Sequence, residues 1–288
     1  MRDILIILAC VPLYICNAMC DKLVSATIEN KYSAVYNCIK FALCSICAIP
    51  FLFIGDTPVL GIGSLLCGLT CGLMYAISKN VMLKGYAVTS VAFMTLCHSA
   101  GMIVPCVLGH FLWEEALRIF TLLGILLTVG AIGLLKDVSG SKTEINTKGL
   151  LYGFITFLTS AGVMISQKCM GMYFADESVG FYNLFSFAVA MLMLCPLLNV
   201  THIRNDNGKT KRTVCVCAFG SAVSLSVISF VMTSLASNVP SVILFPVFNG
   251  TGILLVCIVS AVLFQERLTM RKIIGLIVGI LGLFMINI

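Results

Sequence analysis

The sequence predicts an all-α fold, a polytopic membrane protein of ten transmembrane helices built as two inverted five-helix repeats. Three observations predict it. Of the 288 residues, 60% are hydrophobic and only 10% charged, against about 25% charged in a typical soluble domain, so lipid replaces water as the main solvent. Apolar stretches of about 20 residues recur along the whole chain, each long enough to cross a hydrocarbon core of roughly 30 Å as a helix. Finally, residues 90–135 and 241–286 match each other without a gap, the mark of an internal repeat.

Closed β-barrels are the other solution that satisfies every backbone group in lipid, and they need alternating segments of about ten residues. Residues 273–286 do not alternate. Polar interruptions divide the chain into spans at 4–23, 33–54, 59–78, 87–111, 119–135, 149–167, 179–200, 214–236, 241–264 and 273–287. The start, Met1-Arg2-Asp3, is too short a charged region for a lipoprotein signal, and the apolar run continues past Cys10, so the first stretch reads as a span. Pro105 in the fourth span and Pro246 in the ninth bend their helices and free backbone carbonyls. The most polar connections, 136–148 and 201–213, are rich in Ser, Thr, Asn, Gly and bases and read as solvated loops. The first is the joint between two units, residues 1–140 and 141–288.

In the repeat, Ser90 falls on Ser241, Gly101 on Gly252, Cys106 on Cys257, Glu115 on Glu266 and Gly124 on Gly275. Apolar composition alone aligns a Glu and several small residues much less readily. An odd number of crossings per unit inverts the second copy, and inverted repeats place a solute site near the midplane where the copies meet.

Phe111-Leu-Trp-Glu-Glu-Ala-Leu with Leu122-Leu-Gly-Ile-Leu-Leu-Thr-Val-Gly, and Phe264-Gln-Glu-Arg-Leu with Ile273-Ile-Gly-Leu-Ile-Val-Gly-Ile-Leu-Gly, resemble the twice-occurring signature of EamA-like members of the drug/metabolite transporter superfamily. Tyr75-Ala-Ile-Ser-Lys79 and Pro105 are similar to that pattern too. In motif the resemblance covers the last two spans of each half, and in layout essentially the whole chain. It implies a ten-helix carrier, often an exporter of metabolites, with the solute open.

With alternating spans, fifteen bases fall on one side and Arg2, Arg118 and Lys168 on the other. The positive-inside rule then puts both termini outside, whereas the resemblance implies cytoplasmic termini.

Polar side chains inside spans are site candidates because burying them unpaired costs several kcal/mol. His98 leads, since the repeat sets it on Asn249 and a pseudo-twofold axis brings both toward one cavity. It is also able to titrate and so to couple a proton; the competing reading is a His that hydrogen-bonds a neighbouring helix. Lys40 either binds an anionic group or snorkels to the interface. Asn17, Tyr75 and Asn183 are further substrate-binding candidates, with Tyr14, Ser78, Tyr182 and Ser186 beside them. Glu115 and Glu266 read as structural, each stabilising the start of the helix that follows. Gly68 and Gly72 form a small-xxx-small packing face.

All twelve acids fall in loops or within about a turn of a span end, leaving no carboxylate deep in the bilayer of the kind a small-multidrug-type cation antiporter uses. Fifteen cysteines scattered through apolar runs behave as small buried hydrophobes. No phosphate loop, zinc-type spacing or nucleophile elbow occurs, so no catalytic residue, metal or cofactor is expected. Bases at span ends without a basic patch exclude nucleic acid.

The reading is a secondary transporter of a small organic metabolite in the cell membrane, a multi-pass exporter working by alternating access as monomer or homodimer. A membrane-embedded lipid-modifying enzyme and a cation antiporter are the alternatives.

Overall fold

The computed structural model describes residues 2–28, 32–54, 60–89, 91–115, 119–134, 147–198, 208–263 and 270–286. Every regular element among them is helical: α1 (Arg2–Ala9), α2 (Val11–Thr27), α3 (Ser33–Ala48), α4 (Ile62–Val88), α5 (Val91–Ala100), α6 (Ile103–Leu112), α7 (Ile119–Leu134), α8 (Thr147–Tyr173), α9 (Val179–Leu194), α10 (Gly208–Leu235), α11 (Ser241–Leu263) and α12 (Met270–Ile286). Among the described residues, six helical stretches are long and apolar enough to cross a membrane, and shorter apolar helices accompany them. Large apolar side chains such as Phe154 and Leu158 on α8 and Leu126 on α7 point outward, where lipid rather than water solvates them. This is a membrane protein.

Two expected spans are broken by proline. Pro12 sits in the first turn of α2 and lacks the N–H that would bond the carbonyl one turn back, so the first span divides at Cys10. Pro105 likewise leaves the Gly101 carbonyl without its usual donor. The chain there tightens, with Met102 N donating to Ser99 O (3.0 Å) and Val104 N to Gly101 O (3.2 Å), and the span expected at 87–111 becomes α5 and α6.

Three helices run well beyond their expected ends. α4 continues past Ser78 through Lys79, Asn80 and Lys84, α8 continues past Gln167 through Lys168, and α2 continues past Leu23 to Thr27. In each case polar residues that look like the edge of the membrane face the bundle instead: Asp21, Asn80, Gln167 and Lys168 are all buried.

α4 lies against α8 and α9, α10 against α2 and α3, α3 against α9, and α7 against α12. Gly68 and Gly72 act as the small-residue face. A Cβ on Gly72 would overlap the Ser186 carbonyl oxygen and come within 2.7 Å of Val189 Cβ, so glycine lets the α4 and α9 backbones approach.

Candidate functional site

A cavity opens among α2, α4, α5, α8, α10 and α11, with about 810 Å³ of empty space that includes its opening to solvent. Helical periodicity builds its walls. On α4, Tyr75, Ser78, Lys79, Met82 and Tyr86 line it, and their three- and four-residue spacing is one helix face. Tyr14, Asn17 and Asp21 do the same on α2. Much of the remainder is apolar, including Met164, Met232, Phe245 and Phe248.

His98 and Asn249 both line this cavity. The Asn249 amide donates to Phe245 O of its own helix at 3.0 Å. His98 Nδ1 and Ser78 Oγ are buried with no hydrogen-bond partner among the described residues. Buried polar atoms are normally satisfied, so these two stand ready for a ligand or water. The Tyr75 hydroxyl leads away into the wall, where Ser229 Oγ receives it at 3.5 Å and Gln167 Nε2 at 3.3 Å. Ser229 in turn donates to Asn183. Asn183 is fully buried and is absent from the lining; it supports Tyr75 through Ser229.

Lys40 neither binds from the cavity wall nor snorkels. It is fully buried behind the wall, with its ammonium donating to both Asp21 oxygens at 3.0 Å and to Asn17 Oδ1 at 3.3 Å. Tyr36 donates its hydroxyl to Asp21 Oδ1 at 2.8 Å, and the Ser221 hydroxyl donates to the same oxygen at 3.3 Å. The expectation of no interior carboxylate is therefore corrected: Asp21 is buried, sits inside α2 and lines the cavity. A charge pair with complete hydrogen bonding is what makes this burial tolerable.

A second buried pair seals the connection between α6 and α7. Lys168, expected among the loop bases, is 1% exposed and donates to Glu115 at 2.9 Å and to the Ala236 and Val239 carbonyls at 2.8 and 2.9 Å. Glu115 accepts from Ser241 N at 2.8 Å and Ser241 Oγ at 3.2 Å. It thus caps α11 rather than α7, the helix that follows it. Glu266 lies outside the described residues. Among the described residues, no group of three or more His, Cys, Asp or Glu is placed to hold a metal ion.

Residues 147–288 match the EamA-like transporter family. Over those residues, just under half of its length, the chain is similar to the EamA-like transporters. No curated protein matches the sequence. One protein of known crystal structure superposes with a TM-score of 0.73 at 12% identity, covering 97% of this chain and 98% of that one; the likeness is one of fold.

Sequence reasoning missed two things. Asp21 and Lys79 line the cavity, yet each sits beside other polar residues that looked like a membrane edge. A second stretch of self-similarity also went unread: Tyr36-Asn37 and Phe41-Ala42 correspond to Tyr182-Asn183 and Phe187-Ala188, and Pro50 to Pro196. The geometry matches as well. Asn37 and Asn183 each donate to the carbonyl one turn back at 3.0 Å, Tyr36 reaches Asp21 on α2 and Tyr182 reaches Ser166 on α8, and both helices end in a proline-bearing 3₁₀ turn.

Proposed function

We propose that this protein is a secondary carrier that moves a small organic metabolite out across the cell membrane by alternating access between two inverted five-helix halves, residues 1–140 and 141–288. The observation that carries the reading is that His98 and Asn249, set on each other by the repeat, line one cavity. The paired Tyr-Asn motifs on α3 and α9 extend the same correspondence to a second pair of helices. Packing supports it too, since α4 against α8 and α9 exchanges with α10 against α2 and α3 when each span is replaced by its counterpart in the other half. In such carriers the site lies where the repeats meet, lined by interrupted helices, and His98 sits three residues before the break at Gly101.

Asn17 and Tyr75 contribute to the same wall, and His98 supplies a group able to take up a coupling proton. The cation-antiporter reading fares worse. Asp21 lines the cavity, but Lys40 already occupies both of its oxygens, so an incoming cation meets no free carboxylate.

The test is counterflow in proteoliposomes across a panel of radiolabelled amino acids, organic acids and phosphate esters. Replacing His98 and Asn249 together by Ala should abolish flux while leaving the protein folded by size-exclusion and thermal unfolding. Undiminished flux in the double variant rejects the site.

A further inference from the structure

Among the described residues, Lys40, Lys79 and Lys168 face the interior of the bundle, and they are treated differently. Lys40 has three acceptors within 3.3 Å and Lys168 has three within 2.9 Å. Each is the fully satisfied ammonium that a low-dielectric interior demands. Lys79 is half-buried on the cavity face of α4, and no hydrogen bond or ion pair joins it to any described residue. The acid that acts on it electrostatically is Asp21, whose oxygens Lys40 already holds. Asp21, Lys40 and Lys79 together therefore leave one positive charge beside the cavity.

We propose that the cavity takes an organic anion, a carboxylate or phosphate monoester carried on an apolar body, with Lys79 as its counter-charge. Ser78 Oγ and His98 Nδ1, the two buried polar atoms of the lining that lack partners, supply the neighbouring hydrogen bonds. The logic is the one that pairs the other interior lysines: a cation facing the interior of the bundle needs acceptors, and an anionic ligand group brings them. The apolar body has its own surface, because Met82 follows Lys79 by one turn on α4 and faces the same space as Phe245, Phe248 and Met232. Polarizable methionines and aromatic rings accept varied apolar shapes. Charge fixes the ligand group, and the soft wall leaves its body variable.

This inference rests on the carrier reading and deepens it, so its test separates the two. Purified full-length protein in lipid nanodiscs is titrated with 4-phenylbutyrate and phenyl phosphate, and with their uncharged or cationic counterparts 4-phenylbutyramide, benzyl alcohol and phenyltrimethylammonium, while thermal unfolding is followed. The anions should raise the midpoint in a concentration-dependent way and the counterparts should not. Lys79→Met should weaken anion binding about tenfold or more, the effect of losing a charge-assisted hydrogen bond, with Lys79→Arg retaining most of it. If Lys79→Met unfolds, Lys79→Gln carries the comparison. Equal stabilisation by the neutral or cationic compounds, no stabilisation by either anion at millimolar concentration, or anion binding indifferent to Lys79 overturns the proposal. Anion binding without counterflow rejects the carrier and keeps the site, whereas counterflow of a neutral solute indifferent to Lys79 does the reverse.

Discussion

At the scale of single residues, the interior of this bundle is governed by the cost of burying charge. Asp21 and Lys40 are tolerated because each completes the other and because Tyr36, Ser221 and Asn17 take up what remains. Removing one partner strands the other, so Lys40→Met should destabilise the protein by about 3–5 kcal/mol. Adding Asp21→Asn to that variant should recover most of the loss, because the stranded carboxylate is then gone. Unfolding titrations of the two single variants and the double variant measure the coupling, and simple additivity would show that the pair does not interact. The same chemistry explains what the sequence could not disclose. That His98 and Asn249 line one cavity was legible because the repeat pairs them, but Asp21-Lys22 and Lys79-Asn80 carry no signal separating a charge that faces water from one that faces a partner on another helix. Lys40 finds its acid on α2, nineteen positions earlier, a pairing that only the folded bundle defines.

At the scale of helices, existence was legible and extent was not. Apolar run length sets where a helix must be in lipid, but nothing in that rule stops a helix at a buried polar residue, and α2, α4 and α8 all continue through theirs. Glycine shows how finely the contacts between helices are set. A Cβ on Gly72 meets the Ser186 carbonyl, whereas one on Gly130 in α7 meets nothing within 4 Å. Gly72→Val should therefore force α4 and α9 apart at a cost of about 1–3 kcal/mol, as overpacking does. Gly130→Ala should be neutral or stabilising by up to about 1 kcal/mol through helix propensity. Opposite signs in thermal unfolding midpoints are the expected result; gains at both positions would mean that helix propensity, not the α4–α9 contact, dominates.

At the scale of the whole molecule, acids from one half hold helix starts in the other. Glu177, between α8 and α9, accepts from Gly63 N at 3.2 Å and Ser64 N at 2.5 Å at the start of α4. Glu115, between α6 and α7, accepts from the start of α11. Helix N-termini present unpaired N–H groups and a positive dipole end, so each carboxylate ties the halves together across their boundary. If the halves are inverted, the connections bearing Glu115 and Glu177 share one face of the membrane, and the connection at 29–31, the counterpart of 174–178 in the first half, lies on the other. The charges agree with that separation, since Lys31 beside Glu29 in the first connection and Lys22 before it give that end two bases against one acid, while Asp176 and Glu177 occupy its counterpart, and cytoplasmic loops carry the excess of bases. A short epitope inserted at Asn30 should accordingly be reached by antibody only after cells are permeabilised, and the same epitope inserted at Asp176 should be reached on intact cells. Loops tolerate such insertions better than the helices they join. Detection of both from the same side would mean that the two halves run parallel, and the shared cavity would then need a different symmetry to bring His98 and Asn249 to one ligand.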